Sequence, residues 1–429
     1  MSINKLNINL LFLSLFFVYT QGFWERFTFL PVQYILEGFI ILFILTGIRQ
    51  IKSNPPGLLI FFLFSLFLIF SSFSTGTVVN AFRFYRFVFY TYFIYLIFWN
   101  KYFTIIGFNK LLRFIVFLVI LQGFGSFYQS IIIGQKVEGY VGLMSSLGGT
   151  TATAFPLMII AIVSVVYLLK NRYFKTKWTY YLVFIVISVL LVGYSSGKRS
   201  IYFTIPALIM ILVLISKNYI SYFRWQKIIF KMIAVFVLMI PLYFYALKNT
   251  IGIKYLLSGK ESNIEILKTS VKYAKDYESI DYNSIASGRA GATTQILNKV
   301  FTNNNYLFFG IGYGSHDLDQ TKKELNYLYG ITGFTRDLLS GGIILAILTV
   351  FLFYIFIFKN KGINNTNGFF RLTRLSLLLV FIYVHFAYSS DFIVSLKMNM
   401  IFLILVCFLN SPKHHYLREN YSRYLTQKK

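Results

Sequence analysis

The side chains best suited to chemistry in this chain are cationic and stand at the ends of apolar runs. Lys198 and Arg199 lie in Gly193-Tyr194-Ser195-Ser196-Gly197-Lys198-Arg199-Ser200, a turn between two apolar stretches. An arginine close to a membrane helix is costly to keep, and its planar fork matches phosphate oxygens with two parallel hydrogen bonds. Two readings stand side by side: the pair holds a lipid pyrophosphate, or it is two snorkelling charges that mark an interface. Arg289 follows Ser287-Gly288, where a glycine lets backbone approach a ligand; alone it reads as a ligand or as a solvated charge. Arg83 and Arg86 are three residues apart and share a helix face, so both can address one anionic group or anchor the helix at the interface.

Carboxylates and imidazoles are scarce. Glu37 lies within an apolar run and Asp391 opens another; an intramembrane carboxylate is a functional candidate or a satisfied structural group. Arg336-Asp337 precedes a further run, which makes Asp337 either a catalytic carboxylate or half of a local ion pair. His385 sits in an apolar run and His316-Asp317 follows a glycine-rich turn; either imidazole can act as a base near neutral pH. The turn is Gly310-Ile311-Gly312-Tyr313-Gly314, and Gly288, Gly310, Gly312 and Gly314 are expected to position the surrounding loop.

Several chemistries have no support in the sequence. It holds no glycine-rich phosphate loop ending in Lys-Ser/Thr, no His-Glu-x-x-His zinc pattern and no paired aspartates of a nucleotide-sugar site. Four histidines and one cysteine, Cys407, give no thiolate cluster or intrachain disulfide. No metal and no cofactor are expected.

The elements that must position these groups are membrane helices. The 429 residues are 57% hydrophobic and 13% charged, with 20% aromatic residues, more apolar surface than a soluble domain can bury. Runs approaching the ~20 residues needed to span a bilayer fall at 6–20, 33–48, 57–73, 84–99, 111–133, 150–169, 178–194, 200–216, 228–246, 338–358, 372–388 and 391–409. The spacing predicts an all-α polytopic membrane protein of about twelve helices. The first run has the length of a signal-peptide core, but no small-residue cleavage site follows, so it reads as a retained helix. Phe and Tyr suit interfacial belts, and Tyr rings also offer faces on which sugars stack.

A net charge of +27 would suggest nucleic acid in a soluble protein. Here most of it sits in short loops, so no nucleic-acid partner is expected. Placing the N-terminus in the cytoplasm collects 23 Lys/Arg on that side, and the positive-inside rule then puts both termini there. One polar segment, Leu247 to Asp337, breaks the apolar series with 11 Lys/Arg and 9 Asp/Glu and faces outward. The chain thus divides into helices one to nine (1–246), a large extracytoplasmic loop (247–337), helices ten to twelve (338–410) and a basic tail (411–429). Within the loop, Ser262-Asn263-Ile264-Glu265 has capping-box spacing. The helix after it carries Ile264, Leu267, Val271 and Ala274 on one face, to rest on the membrane or to cap a cavity. A second short helix is expected around Gly291–Phe301.

In order, these features resemble the O-antigen polymerase and O-antigen ligase superfamily of bacterial envelope glycosyltransferases. The matching segments are Ser196-Gly197-Lys198-Arg199-Ser200 before the loop, Ser287-Gly288-Arg289 within it, and Leu307-Phe308-Phe309-Gly310-Ile311-Gly312-Tyr313-Gly314 further on. Leu339-Ser340-Gly341-Gly342-Ile343 then leads into the next helix, and the glycine-rich stretch from Glu138 to Gly149 is also similar. The topology matches over most of the chain and the motifs over about 60 residues. The His-Asn type pair that ligases carry before the last glycine segment is absent; Asn326-Tyr327-Leu328-Tyr329-Gly330 stands there instead.

The resemblance implies a class C glycosyltransferase architecture in the bacterial inner membrane. It implies a metal-independent, inverting polymerase that joins oligosaccharide repeat units carried on undecaprenyl pyrophosphate, for O-antigen or capsule. Donor and acceptor are both lipid-linked, and the expected protein partners are a chain-length regulator and a flippase. Lys198, Arg199, Arg289, Arg83 and Arg86 become pyrophosphate ligands, with Arg199, Arg289 and Asp337 as catalytic groups. An O-antigen ligase, with a lipid A core acceptor, is the near alternative. A lipid-linked oligosaccharide flippase is the distant one.

Overall fold

A computed structural model describes residues 3–27, 32–74, 78–101, 105–134, 142–144, 177–196, 262–278, 289–312, 332–358, 368–387 and 396–411, with scattered positions between 211 and 248. Among the described residues the chain is all-helical, without strands. The helices are α1 (Ile3–Phe27), α2 (Val32–Ile48), α3 (Leu58–Ser74), α4 (Val78–Asn100), α5 (Ile105–Phe127), α6 (Lys177–Ser196), α7 (Asn263–Glu278), α8 (Arg289–Thr302), α9 (Asn304–Phe309), α10 (Gly333–Phe358), α11 (Gly368–Ile382) and α12 (Leu396–Asn410). Single π-helical turns follow α5 at Tyr128–Ile132 and α11 at Tyr383–Ala387. The spans expected at 150–169, 200–216 and 228–246, and the Ser389-Ser390 hairpin, lie outside the described residues apart from scattered positions.

Among the described residues Leu6–Glu25, Lys110–Ile132 and Gly333–Phe358 are long and apolar enough to cross a membrane, and six further apolar helical stretches are shorter. A helix satisfies its own backbone groups, which is why long apolar runs take this form. Helix α1 runs past the expected 6–20 because its polar end finds partners: Thr20 Oγ1 donates to Phe16 O at 2.7 Å, and Trp24 Nε1 donates to Thr20 Oγ1 at 2.9 Å. Helix α10 begins at Gly333 rather than 338. Thr332 and Thr335 bond reciprocally across its first turn, Thr335 N donating to Thr332 Oγ1 at 3.2 Å and Thr332 N to Thr335 Oγ1 at 2.9 Å. Arg336 and Asp337 therefore lie inside a helix, not ahead of one.

Side-chain ties define two ends of the bundle. At one end Asn100 Oδ1 accepts from Lys52 N at 3.0 Å and Ser53 N at 2.9 Å, Ser411 Oγ donates to Trp99 O at 2.5 Å, and Lys101 Nζ donates to Asn7 Oδ1. At the other end Tyr19 Oη donates to Lys397 O at 2.6 Å and Gln122 Nε2 to Tyr19 O at 2.6 Å. Helices α8 and α9, from the polar loop, pack against the first half of α10 at this second end. Stacked rings fill the space between, Phe108 on Phe408 at 3.8 Å and Phe353 on Phe381 at 4.0 Å.

Both loop helices expected from the sequence are present. The capping box forms, with Ser262 N donating to Glu265 Oε2 at 2.7 Å. On α7 Ile266 and Ser270 are buried, while Ile264 and Val271 are both 65% exposed. Their apolar stripe is left outward, flanked by exposed Lys268 and Lys272.

Candidate functional site

Two glycine motifs, about 30 residues apart in sequence, meet at the loop-bearing end. Helix α9 is capped at its start by Asn303, whose side chain accepts from Asn305 N at 2.9 Å, and stops at Gly310, whose N–H donates to Tyr306 O at 2.9 Å. Gly310 has φ 66° and ψ −166°, and Gly342 has φ 66° and ψ −163°, a region open essentially to glycine alone. Gly341 and Gly342 break α10 into two halves. The two glycine backbones press together: a Cβ on Gly310 would lie 2.5 Å from Gly341 N, and one on Gly342 2.5 Å from Leu307 O and Phe308 O. Ile311 N donates to Leu339 O at 2.6 Å. Ala292, Ile296, Val300, Ile311 and Leu339 close over the contact as a small core of their own. The loop is thus docked, backbone on backbone, at a break in a membrane-length helix.

Four residues before that break stands Asp337. Its Oδ2 lies 3.7 Å from Nε2 of His385, which comes from the π turn after α11. This is an ion-pair distance, longer than a hydrogen bond. His385 is buried, while the Asp337 side chain keeps 22% exposure. The imidazole is fixed by rings: it stacks on Phe381 at 5.1 Å and meets the edges of Phe386 at 5.0 Å and Phe334 at 6.3 Å. A π turn inserts one extra residue per turn and recurs at functional sites; here it presents His385 towards α10. Of the two groups Asp337 is the accessible one, and the buried imidazole stands behind its carboxylate. The arrangement can therefore take a proton from a hydroxyl brought to the loop-bearing end.

Arg86 is placed against a carboxylate. Its Nη2 lies 3.2 Å from Glu37 Oε1. Glu37 also accepts from Gln33 Nε2 at 3.1 Å and from Tyr90 Oη at 3.2 Å. Arg86 is thus charge-compensated and belongs to an α2–α4 seam, which makes it a weak anion ligand compared with an uncompensated guanidinium.

The remaining expected site residues fall as follows. Arg289 is the first residue of α8, and Arg83 lies within α4; both side chains are outside the described residues. Lys198, Arg199, Gly288 and Gly314 are themselves outside the described residues, Lys198 two positions beyond the end of α6. Gly312 is described, with φ 108°. Among the described residues no three His, Cys, Asp or Glu side chains gather as metal ligands.

Sequence reasoning missed both ion pairs. It named Asp337 and His385 separately and did not pair them, because they lie 48 positions apart in the chain. The alternation of helix directions held the signal, since it brings the end of the eleventh span and the start of the tenth to the same side. No protein-family model matches the chain, and no curated protein matches it.

Proposed function

We propose that this protein is a repeat-unit polymerase acting on polyprenyl-diphosphate-linked oligosaccharides at the loop-bearing face of a bacterial inner membrane, with about twelve spans and both termini cytoplasmic. The observation that carries the reading is the docking of the Gly310 turn onto the Gly341–Gly342 break, four residues after the Asp337–His385 pair. It joins a polar loop, a base and a membrane helix at one place, as group transfer to a lipid-borne substrate requires.

In the proposed reaction an acceptor hydroxyl attacks the anomeric carbon of the donor from the side opposite the diphosphate. The new C–O bond forms as the bond to the phosphate oxygen breaks, and configuration inverts. The hydroxyl proton goes to the Asp337 carboxylate, with the His385 imidazole 3.7 Å behind it. The bonding pair leaves with the diphosphate, where Arg289, Arg199 and Lys198 take up the growing negative charge. Arg289 opens α8, so an anion there also meets free backbone N–H groups and the positive end of the helix dipole. Each hydrogen bond between charged groups contributes roughly 1.5–3 kcal/mol net, and only the part that strengthens as the bond breaks speeds the reaction. The lipid diphosphate is already an activated leaving group, so no nucleotide is needed. The docked loop excludes water that would hydrolyse the donor.

Replacement of Arg289 by Ala tests the reading. Long polymer should vanish while single repeat units still reach the outer face. Accumulation of single units inside would favour a flippase, and polymer left on its lipid carrier would favour a ligase.

A further inference from the structure

Helices α1, α2 and α4 each bring one polar pair with i, i+4 spacing to a common seam at the loop-bearing end. Gln21 Nε2 donates to Glu25 Oε1 at 2.7 Å and to Gln33 Oε1 at 3.0 Å. Gln33 Nε2 passes the chain on to Glu37, which is held in turn by Arg86 and Tyr90. Helix α2 is otherwise almost wholly apolar, so two amide and carboxylate groups one turn apart are a specified feature of it. The inner half of the chain is structural: Glu37 is buried and bonded to three donors. The outer half is more exposed. Glu25 is exposed, Gln33 is half-exposed, and the Gln21 side-chain carbonyl accepts from no protein donor among the described residues. Trp24 stands beside it, half-buried, with its N–H held by Thr20 and its ring against Phe17 and Phe23.

Planar amides and carboxylates address adjacent hydroxyls with paired hydrogen bonds, and an indole offers a flat apolar face to a sugar ring. Charge points the same way. Glu25 and Glu37 are balanced by Arg86 and by Lys397, which lies within electrostatic reach of Glu25. Among the described side chains two carboxylates thus face two cations, with no surplus of either sign to select a diphosphate or a uronic acid. We infer that the α1–α2–α4 seam, with Gln21, Trp24, Glu25 and Gln33 at its mouth, binds uncharged sugar hydroxyls of the acceptor repeat unit. This rests on the polymerase reading and adds to it a subsite separate from the Asp337–His385 pair.

The test uses the full chain in lipid nanodiscs with lipid-linked repeat unit extracted from cells that make it. Gln33→Ala and Glu25→Gln should each raise KM at least tenfold and leave kcat within twofold, with unchanged thermal unfolding. An unchanged KM in both variants, or a loss confined to kcat, overturns the subsite and leaves the polymerase reading standing. If the wild-type protein makes no polymer, that reading fails, and binding decides the subsite: maltotriose, cellotriose, chitotriose and trigalacturonate are compared by saturation-transfer NMR. A neutral trisaccharide should then bind, at least fivefold more weakly in both variants. Absence of neutral binding, equal binding in the variants, or preference for trigalacturonate overturns the inference.

Discussion

Replacing Gly342 by Ala should undock the polar loop from the bundle. Gly342 has φ 66° and ψ −163°, and forcing a side chain into such a region costs about 1–3 kcal/mol. The added Cβ would also meet Leu307 O and Phe308 O at 2.5 Å. Both are backbone atoms at the end of α9, which cannot swing aside as a flexible side chain would. Crowding of this kind costs about 1–3 kcal/mol more. The combined penalty of about 2–6 kcal/mol shifts the docking equilibrium by roughly thirty-fold to more than ten-thousand-fold. The assay is hydrogen exchange at the Ile311 amide, which donates to Leu339 O across the contact at 2.6 Å. Exchange there should accelerate by at least thirty-fold in the variant, and polymer synthesis should fall with it. Gly38→Ala is the control: a Cβ there has no heavy atom within 4 Å, and alanine in a helix interior is better than glycine by up to ~1 kcal/mol. Its exchange and stability should match or exceed the wild type. If Gly342→Ala left Ile311 as protected as in the wild type, the backbone-on-backbone account of docking would be wrong.

Asp337→Asn should cut polymerisation by about 10²–10⁴, the range for loss of a positioned base, while donor binding stays within a few-fold. His385→Ala should cost less, because the carboxylate remains, and should change the shape of the pH–rate profile rather than only its height. Glu37→Gln should lower thermal stability by about 1–3 kcal/mol, less than the 3–5 of a fully buried pair because Arg86 is partly exposed. Adding Arg86→Met should recover part of that loss, and a strictly additive double variant would deny the coupling. Burial brings Lys101 down to about 8 from 10.5. Its charged form therefore penalises folding below pH 8, and the penalty fades as pH rises towards 10.5. Wild-type stability should gain between pH 8 and 10 relative to Lys101→Met, a difference that unfolding melts across that range would measure.

The helical architecture was legible because its cause is local. Apolar runs must satisfy their own backbone in lipid, and the Ser262–Glu265 box and the start of α8 follow from short-range spacing. Helix ends were less legible. Thr332 and Thr335 start α10 five residues before its apolar run, and polar Thr20 to Glu25 carry α1 past its own, because hydrogen bonds rather than hydropathy decide those turns. What α7 packs against was not legible for a related reason: period identifies a stripe but not which neighbour covers the helix. At the site, the glycine motifs were visible individually, but their contact depends on two left-handed backbones meeting across the fold. Asp337 and Arg86 were singled out with incomplete surroundings, since His385 and Glu37 come from other helices, and single-sequence spacing carries no distance between separate helices.

The most direct test of the account mixes the purified protein in vesicles with lipid-linked repeat unit, without nucleotide or metal, and measures released polyprenyl diphosphate against glycan length. One diphosphate should appear for each linkage formed, and both products should disappear together in the Arg199→Ala, Arg289→Ala double variant. Polymer without released diphosphate, or unchanged release and length in that variant, would contradict a diphosphate leaving group held by these two arginines.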